Sequence, residues 1–299
     1  MKKRVIAVGF FDGVHKGHMA LINKVLQVSG EKNCSSAVFT FKKHPDEVVF
    51  NTQVPLLCSN EYRETEILNF GGVDEVFFWD FDEKNAAMPW DDFVRDVLIE
   101  QYNACHIVTG ADFRFGHKGI GDSKKLAELC DRLGVGYDAI DEVCVDNQRV
   151  SSSNIRKLIE QGDVEQAKNL LGHPYSVQGI IEHGRKVGRT IGIRTINLSL
   201  PTEMQKPANG VYISRVTVEG KAYQGVTNVG TVPTFLNDDI IIIEAHLLEF
   251  SKDVYGKRAK VEFLKFLRFE KKFESIDELK ATILQNIEQT KKYFKENVL

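Results

Sequence analysis

Residues 4–18, "RVIAVGFFDGVHKGH", decide the fold of the first half of the chain. The apolar run "RVIAV" predicts a buried strand, and residues 16–29 repeat apolar side chains at helical spacing. The alternation continues, with strands predicted at "SAVFTF", "DEVFFWDF", "CHIVTG" and "VGYDAIDEV" and helices at "WDDFVRDVLIEQY" and "DSKKLAELCDRLG". Strands that alternate with helices in this way indicate a parallel sheet with right-handed crossovers.

The loop between the first strand and the first helix has the residues of a phosphate site. In such folds, phosphate groups bind at the carboxyl edge of the sheet and at the amino end of the helix that follows. His15 and His18 stand three apart at the helix start, so both imidazoles can reach one phosphate. Glycines in the loop let the backbone approach a ligand closely. These glycines are Gly9, Gly13 and Gly17.

The second half has a different pattern. Short β-branched segments punctuated by glycine indicate antiparallel strands in a barrel or sandwich. Two short helices, 153–161 and 163–171, are predicted to lead to it, and residues 275–295 form a final amphipathic helix. We therefore expect an α/β, Rossmann-like domain over 1–172 and an antiparallel β-barrel domain with a C-terminal helix over 173–299. The apolar stripe of that helix consists of Ile276, Leu279, Ile283, Ile287 and Tyr293.

Composition argues against several classes of partner. The 299 residues are 42% hydrophobic and carry a net charge of −3, which is typical of a globular protein that binds neither nucleic acid nor a membrane surface. A basic run near the end is interleaved with Glu262 and Glu270, which favours a solvated strand face. The five cysteines form no C-x-x-C pair, and the chain shows neither a signal peptide nor a membrane span. We expect a cytoplasmic protein that is a monomer or a weak homo-oligomer.

Four motifs of the first half occur together. The first loop ends in H-x-G-H and matches neither G-x-x-x-x-G-K-[ST] nor G-x-G-x-x-G. Three more stretches follow predicted strands or begin helices: "TFKKHP" at 40–45, "GADFRFGHKGIG" at 110–121 and "VSSSNIRKLIEQGDV" at 150–164. The H-x-G-H tetrad resembles the nucleotidyltransferase superfamily. In this order, the four motifs resemble the FMN adenylyltransferase module of prokaryotic FAD synthetases.

This resemblance implies the transfer of an adenylyl group from ATP to FMN. It implies that His15 and His18 contact the ATP phosphates and that Arg156 contacts the triphosphate. It also implies that Asp112 and its loop face the flavin or the adenine. The family has an arginine near the position of Ile120 and usually a threonine where Ser153 stands. The other residues placed at ATP or flavin are Gly9, Phe11, Asp12, Gly13, Gly17, Ser152 and Ser153.

The second half contains a basic, glycine-rich loop followed by a polar strand, "GRKVGRTIGIRTINL" at 184–198. A flexible cationic loop with Gly188 and Arg189 is suited to close over phosphates. Thr195 and Asn197 alternate, so in a strand both side chains point to the same face. A hydroxyl and an amide oxygen together suit the Mg²⁺ ion of Mg-ATP.

About residues 175–295 resemble the riboflavin kinase module that is fused behind the adenylyltransferase in bifunctional FAD synthetases. The stretches "GVTNVGTVPTF", with Asn228, and "EAHLLEF", with Glu244, carry the resemblance. It implies that Glu244 is the base that takes the proton of the ribityl hydroxyl. It also implies that Thr195 and Asn197 hold Mg-ATP.

One motif departs from this family. The family reads G-F-P-T-A-N, whereas this chain reads "GIRTIN", with Ile193 and Arg194 in place of the aromatic residue and the proline. Proline fixes φ, so its loss is expected to loosen the loop. We also expect the arginine to add bulk and charge where ATP or flavin packs.

We therefore expect a bifunctional enzyme that uses Mg²⁺, ATP and the flavins riboflavin, FMN and FAD. One alternative is a monofunctional FMN adenylyltransferase with an inactive kinase module, which the "GIRTIN" departure favours. Another is a nucleotidyltransferase for pantetheine phosphate or nicotinamide mononucleotide, which would leave the second half unexplained. The last is a non-catalytic flavin or nucleotide sensor, against which the intact His15, His18 and Arg156 argue.

Overall fold

The protein folds, in a computed structural model, into two compact units, Met1–Ser152 and Ser153–Leu299. Packing thus divides the chain between 152 and 153, and the expected domain ranges of 1–172 and 173–299 stay a prediction. The structure describes residues 2–69, 72–183, 193–232 and 240–297.

A five-stranded parallel sheet forms the centre of the first unit. Its strands are β1 Arg4–Val8, β2 Ser35–Phe41, β3 Glu75–Trp79, β4 Ala104–Gly110 and β5 Gly136–Ile140. They lie in the order β3-β2-β1-β4-β5, and every neighbouring pair is parallel. The strand order reverses at β1, and the crevice at the carboxyl end of such a switch point is where open α/β sheets bind ligands.

Alternate residues of β1 pack into two different cores. Ile6 and Val8 join the core on one face, and Val5 and Ala7 join the core on the other, so β1 is apolar at both faces.

The helices of this unit are α1 Lys16–Lys32, α2 Pro45–Phe50, α3 Asn60–Asn69, α4 Glu83–Ala86, α5 Trp90–Asp92 with a π-helical continuation Phe93–Gln101, a short 3₁₀ turn His117–Gly119 and α6 Ser123–Leu133. A small hairpin, β6 Cys144–Val145 and β7 Gln148–Arg149, precedes the junction.

The second unit is a nearly closed antiparallel barrel. Its strands are β8 Ser176–Ile180, β9 Ile196–Ser199, β10 Gly210–Val218, β11 Lys221–Val232, β12 Ile240–Leu247 and β13 Arg258–Phe269. They form one sheet in the order β8-β13-β10-β11-β12-β9. The two edges meet where Glu182 N donates to Asn197 O at 2.8 Å. The helices are α7 Ser152–Gln161, α8 Val164–Leu171 and α9 Ile276–Glu296.

The barrel strands separate a core face from an outer face. On β12, Ile243, Ala245 and Leu247 are almost fully buried, whereas Glu244 and His246 between them are half-buried. Helix α9 packs beside β11 on the outer face. Parallel sheet, barrel and C-terminal helix together confirm the predicted fold class.

Three local expectations are wrong or incomplete. Helices α2 and α3 have no counterpart among the predicted elements, because α2 is only six residues long and α3 is mostly polar, so neither repeats apolar side chains over several helical turns. Ile276 is 67% exposed, since it lies in the first turn of α9, before the apolar stripe reaches the barrel. Glu262 is buried and paired with Lys260 at 3.2 Å and with Arg215 at 3.7 Å, so it does not belong to a solvated strand face.

Candidate active sites

The loop after β1 holds two imidazoles against each other. His15 Nδ1 accepts a hydrogen bond from His18 N at 3.2 Å, so His15 is the N-cap of α1. The two rings stack with their centroids 3.5 Å apart and their planes 12° apart, and the Phe11 ring lies 4.9 Å from His18. The pair therefore stands at the amino end of α1, where the helix dipole and its backbone N–H groups favour an anion.

Three glycines of this loop lie close to its aromatic rings or have a left-handed backbone. A Cβ on Gly17 would lie 3.1 Å from Cε1 and Nδ1 of His15, and a Cβ on Gly9 would lie 3.1 Å from Cε2 of Phe11. Gly13 has a φ of 78°, in the left-handed region that favours glycine. A Cβ on Gly9 or Gly17 would thus crowd a neighbouring ring, and Gly13 suits the left-handed backbone of the loop. The predicted contacts of these glycines with a ligand stay a prediction.

Asp12 lies inside the loop and is 1% exposed. Its Oδ1 accepts hydrogen bonds from Leu57 N at 2.8 Å and from Cys58 N at 3.3 Å. Gly13 N donates to Cys58 Sγ at 3.2 Å, and burial, followed by the charge of Asp12, raises the pKa of the Cys58 thiol to about 12. This oxygen of Asp12 thus fixes the loop to the segment before α3.

Arg63 on α3 is a residue of this site that the sequence analysis missed. It is 1% exposed, and its guanidinium donates to Phe10 O at 2.6 Å, to Phe41 O at 2.7 Å and to Asn60 Oδ1 at 2.5 Å. It therefore ties together the chain just after β1 and the last residue of β2, at the edge where His15 lies. No sequence signal distinguishes it, because a charged residue in a polar helix is normally exposed.

Burial decides the charge of His18. Desolvation, followed by the nearby His15 and Arg63, lowers the pKa of His18 well below 6.5. His18 is therefore neutral near pH 7. Its Nδ1 is buried and has no hydrogen-bond partner among the described residues.

The remaining motifs of the first half are held by polar contacts. His44 caps α2 by accepting from Asp46 N at 3.2 Å, and its ring meets the Phe10 ring at 4.6 Å. Asp112 is exposed and paired with Arg149, which ties the glycine-rich loop to the β6–β7 hairpin. Its predicted contact with flavin or adenine stays a prediction.

The serine-rich motif straddles the boundary between the two units. Ser152, the last residue of the first unit, donates through Oγ to Asp12 O at 3.0 Å within that unit. Ser153 is exposed. Arg156 lies on α7 and belongs to the second unit, and its contact with the triphosphate stays a prediction.

In the second unit, three polar residues line up across three strands. On β12, Glu244 is paired with Asn228 of β11 on one side and with Asn197 of β9 on the other. Directly opposed residues of neighbouring strands share a face of the sheet. Thr195 Oγ1 donates to Glu244 Oε1 at 2.7 Å. The structure thus brings four predicted site residues to one patch of the outer barrel face.

Thr195, Asn228 and Glu244 of this patch line one wall of a cavity of about 240 Å³. Helix α9 supplies the opposite wall through Leu279, Ile283 and Asn286. Asn228 Nδ2 donates to Glu270 Oε1 at 3.2 Å, and Arg268 donates to Asn286 Oδ1 through Nε and Nη2. The sequence analysis missed these wall residues, because the turn that follows β13 brings them together. An apolar cavity with convergent polar groups is suited to a flat aromatic ligand.

The two departing residues of "GIRTIN", Ile193 and Arg194, differ in their relation to the cavity. Ile193 is 8% exposed and lines the cavity, so it contributes apolar surface. Arg194 is exposed, and its Nη1 donates to Ser251 O at 3.4 Å, whereas its own carbonyl oxygen contacts His246 Nδ1 at 2.7 Å. Arg194 is not among the residues that line this cavity. The expectation that its side chain adds bulk and charge where ATP or flavin packs stays a prediction.

Three further expectations concern ligands and surroundings. Gly188, Arg189 and the "PTF" turn at 233–235 lie outside the described residues. Among the described residues, no group of three or more His, Cys, Asp or Glu side chains forms a metal cluster. No helix in the described ranges is both long and apolar enough to cross a membrane.

Comparisons with known proteins match each half of the chain to one family. The FAD synthetase family model matches residues 1–154, and the riboflavin kinase family model matches residues 171–294. The bifunctional riboflavin kinase/FMN adenylyltransferase of Listeria monocytogenes is 34% identical over 97% of this chain and 92% of its own length. Its namesake in Bacillus subtilis is 36% identical over 98% and 93%.

A solved structure shares the whole fold. It is described as a macrolide-efflux protein from Streptococcus pneumoniae, and it matches with a TM-score of 0.89 and 29% identity over 97% of this chain and 94% of its own. The family models and the relatives agree with the resemblance that the motifs indicated. This chain belongs to the family of bifunctional riboflavin kinase/FMN adenylyltransferases.

Proposed function

We propose that this chain makes FAD in two steps at two sites. The barrel unit phosphorylates riboflavin to FMN with ATP, and the parallel-sheet unit transfers an adenylyl group from ATP to FMN and releases pyrophosphate. The observation that carries the two-step proposal is the hydrogen bond of 2.7 Å between Thr195 and Glu244, both of which line the cavity of the barrel unit. An abandoned kinase site would not be expected to retain this arrangement.

In the adenylyl step, the nucleophile is a phosphate that already carries negative charge. It needs no general base, so the protein has to stabilise the charge that develops on the α-phosphate of ATP. His15, His18 and the amino end of α1 are suited to this role, because all three present hydrogen-bond donors to an anion. A neutral His18 donates through one ring nitrogen. Arg156 is proposed to bind the triphosphate.

In the kinase step, the nucleophile is an alcohol and does need a base. Glu244 is proposed to accept the proton of the ribityl hydroxyl as the oxygen attacks the γ-phosphate. The hydroxyl of Thr195 holds one carboxylate oxygen at 2.7 Å, which leaves the other oxygen for the substrate. Ile193, Leu279 and Ile283 would then cover the apolar flavin ring.

Mg²⁺ is proposed as the ion of the kinase step. The hydroxyl of Thr195 and the amide oxygen of Asn197 are hard oxygen ligands, and the pairing of Asn197 with Glu244 puts them beside the carboxylate. With phosphates and water completing the shell, this donor set fits the ion. When bound, Mg²⁺ neutralises phosphate charge.

The remaining proposals follow from the family and the sequence. Gly188 and Arg189 are proposed to close over the ATP phosphates in the kinase step. The enzyme is proposed to be cytoplasmic, as a monomer or a weak homo-oligomer, and to act on small molecules without nucleic-acid or membrane partners.

Product analysis with purified protein tests the two-step proposal. One sample contains riboflavin, ATP and magnesium, and the other contains FMN, ATP and magnesium. We expect FMN and then FAD in the first sample and FAD in the second. If FMN is converted to FAD but riboflavin stays unchanged, the protein is the second candidate, a monofunctional FMN adenylyltransferase. The "GIRTIN" departure favours this candidate. Absence of FAD in both samples would refute the proposal.

Single substitutions then assign the two sites. Glu244→Gln is expected to lower riboflavin phosphorylation by at least about 100-fold and to leave FAD formation from FMN unchanged. His18→Ala is expected to lower FAD formation from FMN and to leave riboflavin phosphorylation unchanged. Each variant is the folding control of the other, because both activities are measured on the same chain. Equal loss of both activities in either variant would contradict the assignment.

A further inference from the structure

We propose that Cys34 and Cys105 form a dithiol site that a hydroperoxide oxidises to an intramolecular disulfide. The two sulfur atoms lie 3.3 Å apart although the residues are 71 positions apart in the chain. The pair stands at the amino edge of the parallel sheet, whereas the histidine loop follows the carboxyl end of β1. This site belongs to neither of the two proposed reactions.

An irregularity of the sheet brings the thiols together. Arg4 of β1 is paired with Ala104 of β4, but the next residue, Val5, is paired with His106. Cys105 is therefore the extra residue of a β-bulge, and bulges redirect a side chain out of the regular alternation. Its Sγ donates to Arg4 O at 3.3 Å, across the first residue of β1.

Cys34 reaches the same point from the other side of β1. It directly precedes β2, and its N–H donates to Ser29 O at 3.0 Å, so the end of α1 fixes its backbone. Ser35 N donates to Lys3 O at 3.0 Å, which holds this segment against the start of β1. Both cysteines are half-buried, so a small oxidant can reach a sulfur atom that the backbone already holds beside its partner.

The reaction is balanced with a hydroperoxide as oxidant. The Cys34 thiol gives up its proton and its sulfur attacks one peroxide oxygen, so that the O–O bond breaks. With hydrogen peroxide, the leaving hydroxide takes up that proton, and the products are a sulfenic acid and water. The Cys105 sulfur then attacks the sulfenic sulfur, the S–O bond breaks, and a second water leaves as the S–S bond forms. Burial, followed by the hydrogen bond with Cys34, raises the pKa of the Cys105 thiol to about 11, so Cys105 is assigned the second attack.

The other cysteines provide internal controls. Cys144 is exposed, whereas Cys58 and Cys130 are buried. Within the described ranges, Cys34 and Cys105 are the cysteines whose sulfur atoms meet. A peroxide-treated sample therefore contains a paired site, an exposed single thiol and two protected thiols in one chain.

The test uses the full chain with Cys144→Ser, which removes the exposed thiol. The reduced protein is treated with hydrogen peroxide, blocked with N-ethylmaleimide and examined by intact mass and non-reducing peptide mapping. We expect two thiols to be lost together, a peptide that joins Cys34 to Cys105, and complete reversal by dithiothreitol. The thermal unfolding midpoint should rise by about 5 °C on oxidation, because the cross-link restricts the unfolded chain.

Cys34→Ser and Cys105→Ser, made separately in the same background, should each abolish the cross-linked peptide. Far-UV circular dichroism and FAD formation show whether each variant is folded. The proposal is overturned if Cys34 accumulates sulfinic acid while Cys105 still reacts with maleimide. It is also overturned if both thiols stay reactive at a peroxide dose that oxidises Cys144 in the unsubstituted chain.

Discussion

Replacing Gly17 with alanine should change the geometry of the histidine pair without lowering the stability of α1. Gly17 is the second residue of α1, and alanine is the better helix former by about 1 kcal/mol. However, the new Cβ would lie 3.1 Å from Cε1 and Nδ1 of His15, closer than ordinary contact. The ring must therefore shift by a few tenths of an ångström, and the stack with His18 shifts with it.

The size of the effect follows from that displacement. A misplacement of about 1 Å at a reacting centre lowers a rate on the order of 100-fold, so a third of that distance should lower it about 5-fold. We expect kcat/KM for FAD formation from FMN to fall by about this factor. The thermal midpoint should stay unchanged or rise, and riboflavin phosphorylation in the other unit should stay unchanged.

Gly30→Ala is the matched control. Gly30 lies on the same helix, and nothing lies within 4 Å of an added Cβ. This variant should gain the same helix propensity and keep full activity at both sites. If Gly17→Ala forms FAD as fast as Gly30→Ala does, the position of the His15 ring does not limit the adenylyl step and the reasoning fails.

Three further outcomes are expected. Because burial, then His15 and then Arg63 lower the pKa of His18 well below 6.5, the unfolded chain takes up a proton there that the folded chain does not. The free energy of unfolding should therefore fall as the pH drops below about 6.5, and urea titrations should show a smaller fall in His18→Gln. Arg63→Met leaves the carbonyl oxygens of Phe10 and Phe41 without their guanidinium donor. In urea titrations, it should lower the free energy of unfolding by about 3 kcal/mol. The control Arg132→Met, on an exposed helix face, should change the free energy of unfolding by less than about 0.5 kcal/mol. Arg194→Ala should change the rate of riboflavin phosphorylation by less than about 2-fold, whereas Ile193→Ala should raise the KM for riboflavin by more than that factor. If steady-state kinetics show the larger effect in Arg194→Ala, Arg194 contacts the substrate.

Sequence patterns predict elements and faces well in this chain. "RVIAV" is apolar at both faces of a parallel strand, so it is recognisable without any knowledge of its neighbours. The spacing of Thr195 and Asn197, and that of Glu244 and His246, likewise places each pair on one side of a strand. The amphipathic pattern locates α9 to within one residue at each end.

Contacts that depend on register are beyond such patterns. The hydrogen bond from Thr195 to Glu244 joins positions 49 apart, and it exists because β9 pairs with β12 in one particular register. The burial of Arg63 depends on where two strands end, not on its helix. Chemistry-bearing residues are therefore visible in the sequence, whereas the partners that orient them are not.

The alternation of side chains along strand β12 separates residues that affect the cavity from residues that affect the core. Its neighbouring residues face opposite sides, with Ile243 and Ala245 in the barrel core and Glu244 on the cavity wall. A substitution on the cavity side alters ligand contacts without changing the volume of the core, so it leaves the folding of the barrel almost untouched. Changes in ligand contacts at the cavity and changes in thermostability can therefore occur independently along one strand. A chain that has lost the aromatic residue and the proline of its motif can still keep an intact barrel around the same carboxylate.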